Sequence, residues 1–266
     1  LSSAASDVYK RQGNRMPFFP FSALFFWHPF LSEKGDPLDR GTEKGVDTLS
    51  LFRLDPITIL IRALVLVTAM PVHECAHGWV ADKLGDHTAR AAGRLTLNPF
   101  HHLDPFGSVL LLLAGFGWAK PVPVNPYYFT KIHNRKAGVA LTALAGPVSN
   151  ILMALVALFV AKGIMFLPST NRAVSMLFTI FLIVCQTNLG LAIFNLIPIH
   201  PLDGSRVLDF FLPYKATAWI EEHEQIIYIV FMVVILFTPI LDWPLTVASN
   251  WLFQLLDRMT ALVLGF

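Results

Sequence analysis

The chain has 266 residues, 55% of them hydrophobic and 14% charged, with a formal net charge of +2 and a mean hydropathy of +0.57. Soluble domains carry about 25% charged residues, so this composition belongs to an integral membrane protein. The near-neutral charge gives no reason to expect nucleic acid as a partner. Cys75 and Cys185 are too few for a disulfide framework and read as small apolar fillers.

Residues 1–15, LSSAASDVYKRQGNR, are polar and lack the apolar core of a signal peptide. They read as a non-native adapter, with Met16 as the natural start. Residues 16–56 hold an aromatic, proline-interrupted stretch (17–31) expected to anchor at the interface, followed by a polar loop.

The first firm span is Ile57–Ala81, with Arg62 near enough to its start to snorkel. Pro71 removes one helical hydrogen bond and strains the helix near the carbonyl of Val67. Just beyond it comes His73-Glu74-Cys75-Ala76-His77. Ionisable groups within a span mark a functional site by default. On a helix His73 and His77 lie one turn apart and can share one metal, while Glu74 lies beside that face as a general base.

Residues 82–104 are polar, and Phe106–Trp118 is apolar but too short for an ordinary spanning helix. Further spans are expected at Gly138–Met165, Val174–Ile197 and about Gln225–Ile240. Residues 245–266 carry Asn250, Gln254 and Asp257 at helical spacing and read either as a span or as an interfacial helix. Lys83, Arg90, Arg94, Lys120, Lys131, Arg135 and Lys136 all fall in 82–137, which the positive-inside rule assigns to the cytoplasm.

A catalytic zinc usually takes three protein ligands and keeps one position open. The third candidate is Asp203, in Asn195-Leu-Ile-Pro-Ile-His-Pro-Leu-Asp203-Gly204, where Pro198 and Pro201 break the helix and Gly204 permits a tight turn. Spans alternating out-to-in place His73, His77 and Asp203 at one depth only if 106–118 does not cross. That segment is therefore expected to be re-entrant. His87, His101 and His102 read as structural or solvated loop residues, and Asn150, on a small-residue face with Ala143, Gly146, Ala154 and Ala157, reads as a packing residue or as a support for the site.

These motifs together resemble the site-2 protease family of intramembrane zinc metalloproteases. The resemblance runs from the HECAH helix through Gly93–Pro99, His102–Gly107, Gly117–Pro126, Ala145–Asn150 and Asn195–Gly204, covering roughly 57–210. It implies zinc held by His73, His77 and Asp203, with Glu74 as catalytic base. It further implies that Asn195 holds substrate or stabilises the transition state, and that Gly107–Pro126 forms a β-like element near the substrate. The loops are too short for an added regulatory domain.

The expectation is an all-α polytopic membrane protein of about five to six transmembrane helices, with a re-entrant, β-like element between the first two core spans. Residues 57–210 would form the catalytic core and 211–266 further membrane helices. Its partners would be the bilayer and a membrane-protein substrate with a transmembrane segment, and homo-oligomerisation is compatible with the sequence. It would sit in the cell's inner (plasma) membrane with the site towards the cytoplasm. Two alternatives stay open: a zinc protease acting on soluble ends, and a non-proteolytic metal-binding membrane protein or transporter.

Overall fold

The computed structural model describes residues 56–114, 117–167, 172–238 and 240–265. The adapter, the aromatic anchor and the polar loop expected before residue 56 lie outside the described residues. All the described elements are helical.

The first span divides where the sequence places the strain. Helix α1 (Pro56–Val67) ends at the residue whose carbonyl Pro71 cannot serve, and α2 (Ala69–Leu84) begins after Thr68. Thr68 turns its hydroxyl back onto Leu64 O at 2.6 Å. Helix α2 stops at Gly85, whose φ of +112° is open to glycine. Gly85 N–H and Asp86 N–H then donate to the carbonyls of Asp82 and Ala81, closing the end of the helix. The short α3 (Thr88–Ala91) follows.

Helix α4 (Pro105–Ala114) occupies the stretch expected to be re-entrant and β-like. Its leucine run favours helix, so the β-like expectation is corrected over that part. The chain then folds back: a Cβ at Gly117 would lie 2.8 Å from Leu111 Cβ, and one at Gly107 would lie 3.0 Å from the Trp118 ring. Residues 119–125 form no regular element and are tied by a single bridge between Leu103 and Ala119. Pro121 and Pro123 lack the donors a ladder needs.

Arg62 does not snorkel. It is 5% exposed, and its Nη1 donates to Leu112 O at 2.8 Å and Leu113 O at 3.1 Å. The guanidinium thus supplies donors to the carbonyls left open at the C-terminal end of α4.

Two long antiparallel helices form the centre: α5 (Arg135–Ile164), capped by Asn134, and α6 (Arg172–Asn195). Both are long and apolar enough to cross a membrane. Ala154, Ala157, Leu158, Cys185 and Leu189 pack between them with Leu256, small side chains letting the backbones approach. Cys185 is fully buried there, in the filler role expected of it.

After a loop come α7 (Asp203–Phe211), α8 (Tyr214–Glu222), α9 (Glu224–Phe237) and α10 (Asp242–Leu264). Helix α9 has 14 residues, about 21 Å of helix, shorter than the expected Gln225–Ile240 span. Of the polar stripe on α10, Asp257 pairs with Lys162 at 2.8 Å, whereas Gln254 is exposed.

Candidate metal centre

Three elements converge at one point. The one-turn spacing on α2 brings His73 Nε2 and His77 Nε2 to 3.1 Å. Asp203 opens α7, and its Oδ2 lies 3.2 Å from His73 Nε2 and 3.4 Å from His77 Nε2. Gly204 makes this possible by close approach rather than by an unusual turn. Its φ is not positive, but a Cβ there would collide with Leu196 O and Ile197 O, where the loop folds back on the end of α6.

Helix α5 forms the third wall. His77 Nδ1 lies 2.7 Å from Thr142 O, so this nitrogen carries the proton and donates, leaving the Nε2 lone pair directed at the cluster. One turn along α5, Gly146 faces both imidazoles. A Cβ there would stand 2.6 Å from His73 Nε2 and closer still to His77 Nε2.

The geometry tests the expected metal directly. Zinc–ligand bonds of about 2.0–2.1 Å in a tetrahedral arrangement require donor atoms about 3.3 Å apart. The three separations here, 3.1, 3.2 and 3.4 Å, match one face of such a tetrahedron. Asp203 Oδ2 is buried with no hydrogen-bond partner, as an oxygen shaped for a cation would be. His73, His77 and Asp203 form the group suited to a metal among the described residues.

Glu74 does not join the three donors. Its Oε2 accepts a hydrogen bond from Val122 N–H at 3.1 Å, from the irregular segment after α4. Asn195, the last residue of α6, turns its amide onto Leu191 O at 2.9 Å. The loop histidines behave as the sequence implies: His102 is buried and bonds Thr96 O at 2.8 Å, and His87 pairs with Asp82. His200 lies 3.6 Å from Asp209, outside the cluster. Thr142, Gly146 and Val122 are the contributors that residue chemistry did not single out as site residues. A main-chain acceptor, a missing side chain and a main-chain donor leave little trace in a sequence.

Comparison with known proteins follows the same lines. The model for "Peptidase family M50" matches residues 162–238, which include Asn195 and Asp203 but not the histidine helix. Three relatives each carry the name "Putative zinc metalloprotease". YwhC of Bacillus subtilis is 43% identical over 195 residues, 70% of this chain and 86% of the relative. Rip2 of Mycobacterium tuberculosis H37Rv is 29% identical over 195 residues, 71% of each chain. MJ0611 of Methanocaldococcus jannaschii is 33% identical over 155 residues, 57% of this chain and 71% of the relative. No solved structure matches the chain. With 43% identity spanning most of a full relative, the chain belongs to peptidase family M50, the site-2 protease family of metallopeptidases.

Proposed function

We propose that this protein hydrolyses peptide bonds in or near transmembrane segments of membrane proteins, using zinc held by His73, His77 and Asp203. The observation that carries the reading is the triangle of three donor atoms at tetrahedral spacing, two of them from a helix that continues an apolar run. Bound zinc would supply Lewis acidity to water and to the scissile carbonyl.

The protein's own groups do the remaining work. Thr142 O fixes the tautomer of His77, and Gly146 keeps the space between the imidazoles clear. Glu74, one residue from His73, takes the proton of the attacking water on its carboxylate and passes it to the leaving amide nitrogen. A transmembrane substrate has its backbone groups paired within its own helix, so it must unwind locally first. Asn195 then offers its side-chain amide to the exposed backbone or the developing oxyanion, once it turns from Leu191 O.

The membrane arrangement belongs to the same proposal. The span 57–81 within α1–α2, then α5 and α6, alternate in direction, and α9 and α10 bring the crossings among the described residues to five. Helix α4 spans about 15 Å, half a hydrocarbon core, and the chain returns along it. This supports a re-entrant segment between the first two core spans. The cations of 82–137 favour a cytoplasmic face for the site, in the cell's inner membrane.

The test is cleavage of a membrane-embedded reporter by the purified protein. Cleavage is expected to stop with a zinc chelator and in Glu74→Gln, which should keep its zinc. Full activity of Glu74→Gln would sink the base assignment, and chelator-resistant cleavage would sink the metal.

A further inference from the structure

The segment Ala119–Pro126, sequence AKPVPVNP, lies across α2 beside the candidate site. It is held from several directions. Lys120 N–H donates to His102 O at 2.8 Å, and Asn125 N–H donates to Asp86 Oδ2 at 2.6 Å. Arg94, only 8% exposed, donates from Nη2 to Lys120 O at 2.5 Å and to Pro121 O at 3.2 Å. Val122 is buried against Gly78 of α2, where a Cβ would come within 2.9 Å of Val122 Cγ1. Gly78 lies one turn beyond Glu74, so a bare patch of α2 seats the segment next to that carboxylate.

One peptide unit in this strap has partners at both ends. Its oxygen, Pro121 O, receives Arg94, and its nitrogen, Val122 N, donates to Glu74 Oε2. A cation on the carbonyl polarises the amide and strengthens its N–H as a donor. Proline on either side keeps the unit in place: Pro121 has a fixed φ, and Pro123 biases Val122 to extended backbone. Between Pro121 and Pro123 this is also the one amide available.

We infer that Arg94 and the Pro121–Val122 peptide form a positioning relay for Glu74. The relay holds one carboxylate oxygen, Oε2, against the strap, so that proton transfer falls to the other oxygen. This inference rests on the reading of Glu74 as general base. Arg94 and Val122 are positioning residues: neither contacts the three donor atoms. A carboxylate on an α-helix has several rotamers, and a hydrogen bond to a fixed main-chain donor selects one of them.

The experiment compares Val122→Pro, which removes the N–H, with Val122→Ala, which keeps it, in the full-length zinc-loaded protein. Val122→Pro is expected to lower kcat roughly 10- to 100-fold, the range for losing a hydrogen bond to a charged group. KM and zinc content should stay near wild type, and Val122→Ala should recover most of kcat. Hydrogen–deuterium exchange provides a readout that does not depend on turnover. Among residues 121–126 only Val122, Val124 and Asn125 carry amide protons, and Glu74→Ala should release one of them to faster exchange. Equal kcat in Val122→Pro and Val122→Ala, or unchanged exchange in Glu74→Ala, would overturn the relay. An active Val122→Pro beside an inactive Glu74→Gln removes the relay alone, whereas an active Glu74→Gln removes the base and the relay together.

Discussion

Gly146 and Asp203 define the candidate centre from opposite sides, one by the absence of a side chain and one by its charge. A methyl group at 146 would stand within 2.6 Å of His73 Nε2, well inside van der Waals contact. The imidazoles would have to part, and the tetrahedral spacing would be lost. We therefore expect Gly146→Ala to be purified with far less than one equivalent of zinc by elemental analysis, while its helix content is retained. At Gly163 of the same helix a Cβ would meet nothing within 4 Å, so Gly163→Ala serves as the control with full zinc. Asp203→Ala should also lose metal, since it removes one of three donors; unchanged zinc would dismiss it as a ligand. The histidines and the aspartate were legible in the sequence because their chemistry is carried by side chains. Gly146 was legible only as a small residue on a packing face, since nothing in its type says that imidazoles lie against it.

Asp82, His87 and Arg90 fix the joint between α2 and α3, and their chemistry gives that joint a pH dependence. Asp82 Oδ1 accepts from His87 Nδ1–H at 2.8 Å, and Oδ2 accepts from Arg90 at 2.6 Å. The His87 hydrogen bond is the main influence holding the Asp82 carboxyl below its ordinary value; burial opposes it and Arg90 adds to it. A carboxyl whose pKa is depressed on folding contributes stability that is present above its unfolded value, near 3.9. That contribution is lost as pH falls through the lower folded value. Thermal unfolding followed from pH 7 to pH 3 should therefore show a shallower decline in Tm for Asp82→Asn than for wild type. Parallel curves would show that the joint adds nothing. At this scale the break at Thr68 was readable from Pro71 alone, because a missing N–H acts locally. The form of residues 105–126 was not, because it depends on Arg62, more than forty residues earlier, meeting the end of α4.

Across the described residues, many large apolar side chains face outward and several polar ones face inward. Val148, Leu152 and Val156 of α5 and Trp251 and Leu262 of α10 are exposed, while Asn150, Thr187 and Asn188 are buried. That inversion suits lipid as the surrounding solvent, and composition alone had indicated it. What composition could not give is how α10 is fastened, because Lys162 and Asp257 are nearly a hundred residues apart. Lys162 Nζ lies 2.8 Å from Asp257 Oδ1 and donates to Asp257 O at 2.7 Å. The lysine side chain is 12% exposed and the aspartate 31%, so the pair is partly screened by solvent. Removing one member leaves a charge without its partner, and this penalty usually exceeds the net worth of the pair itself. Discounted for the exposure of Asp257, Lys162→Met should destabilise by roughly 1–3 kcal/mol. Asp257→Leu in the same chain should recover much of that loss, because no charge is then left alone. About 24 Å of helix separates Lys162 from Gly146, so zinc content should stay at wild-type level in both the single and the double variant. A double-mutant cycle of unfolding free energies in detergent, measured beside zinc content, checks both halves. A single variant that loses zinc along with stability would mean that α10 supports the metal site through the length of α5.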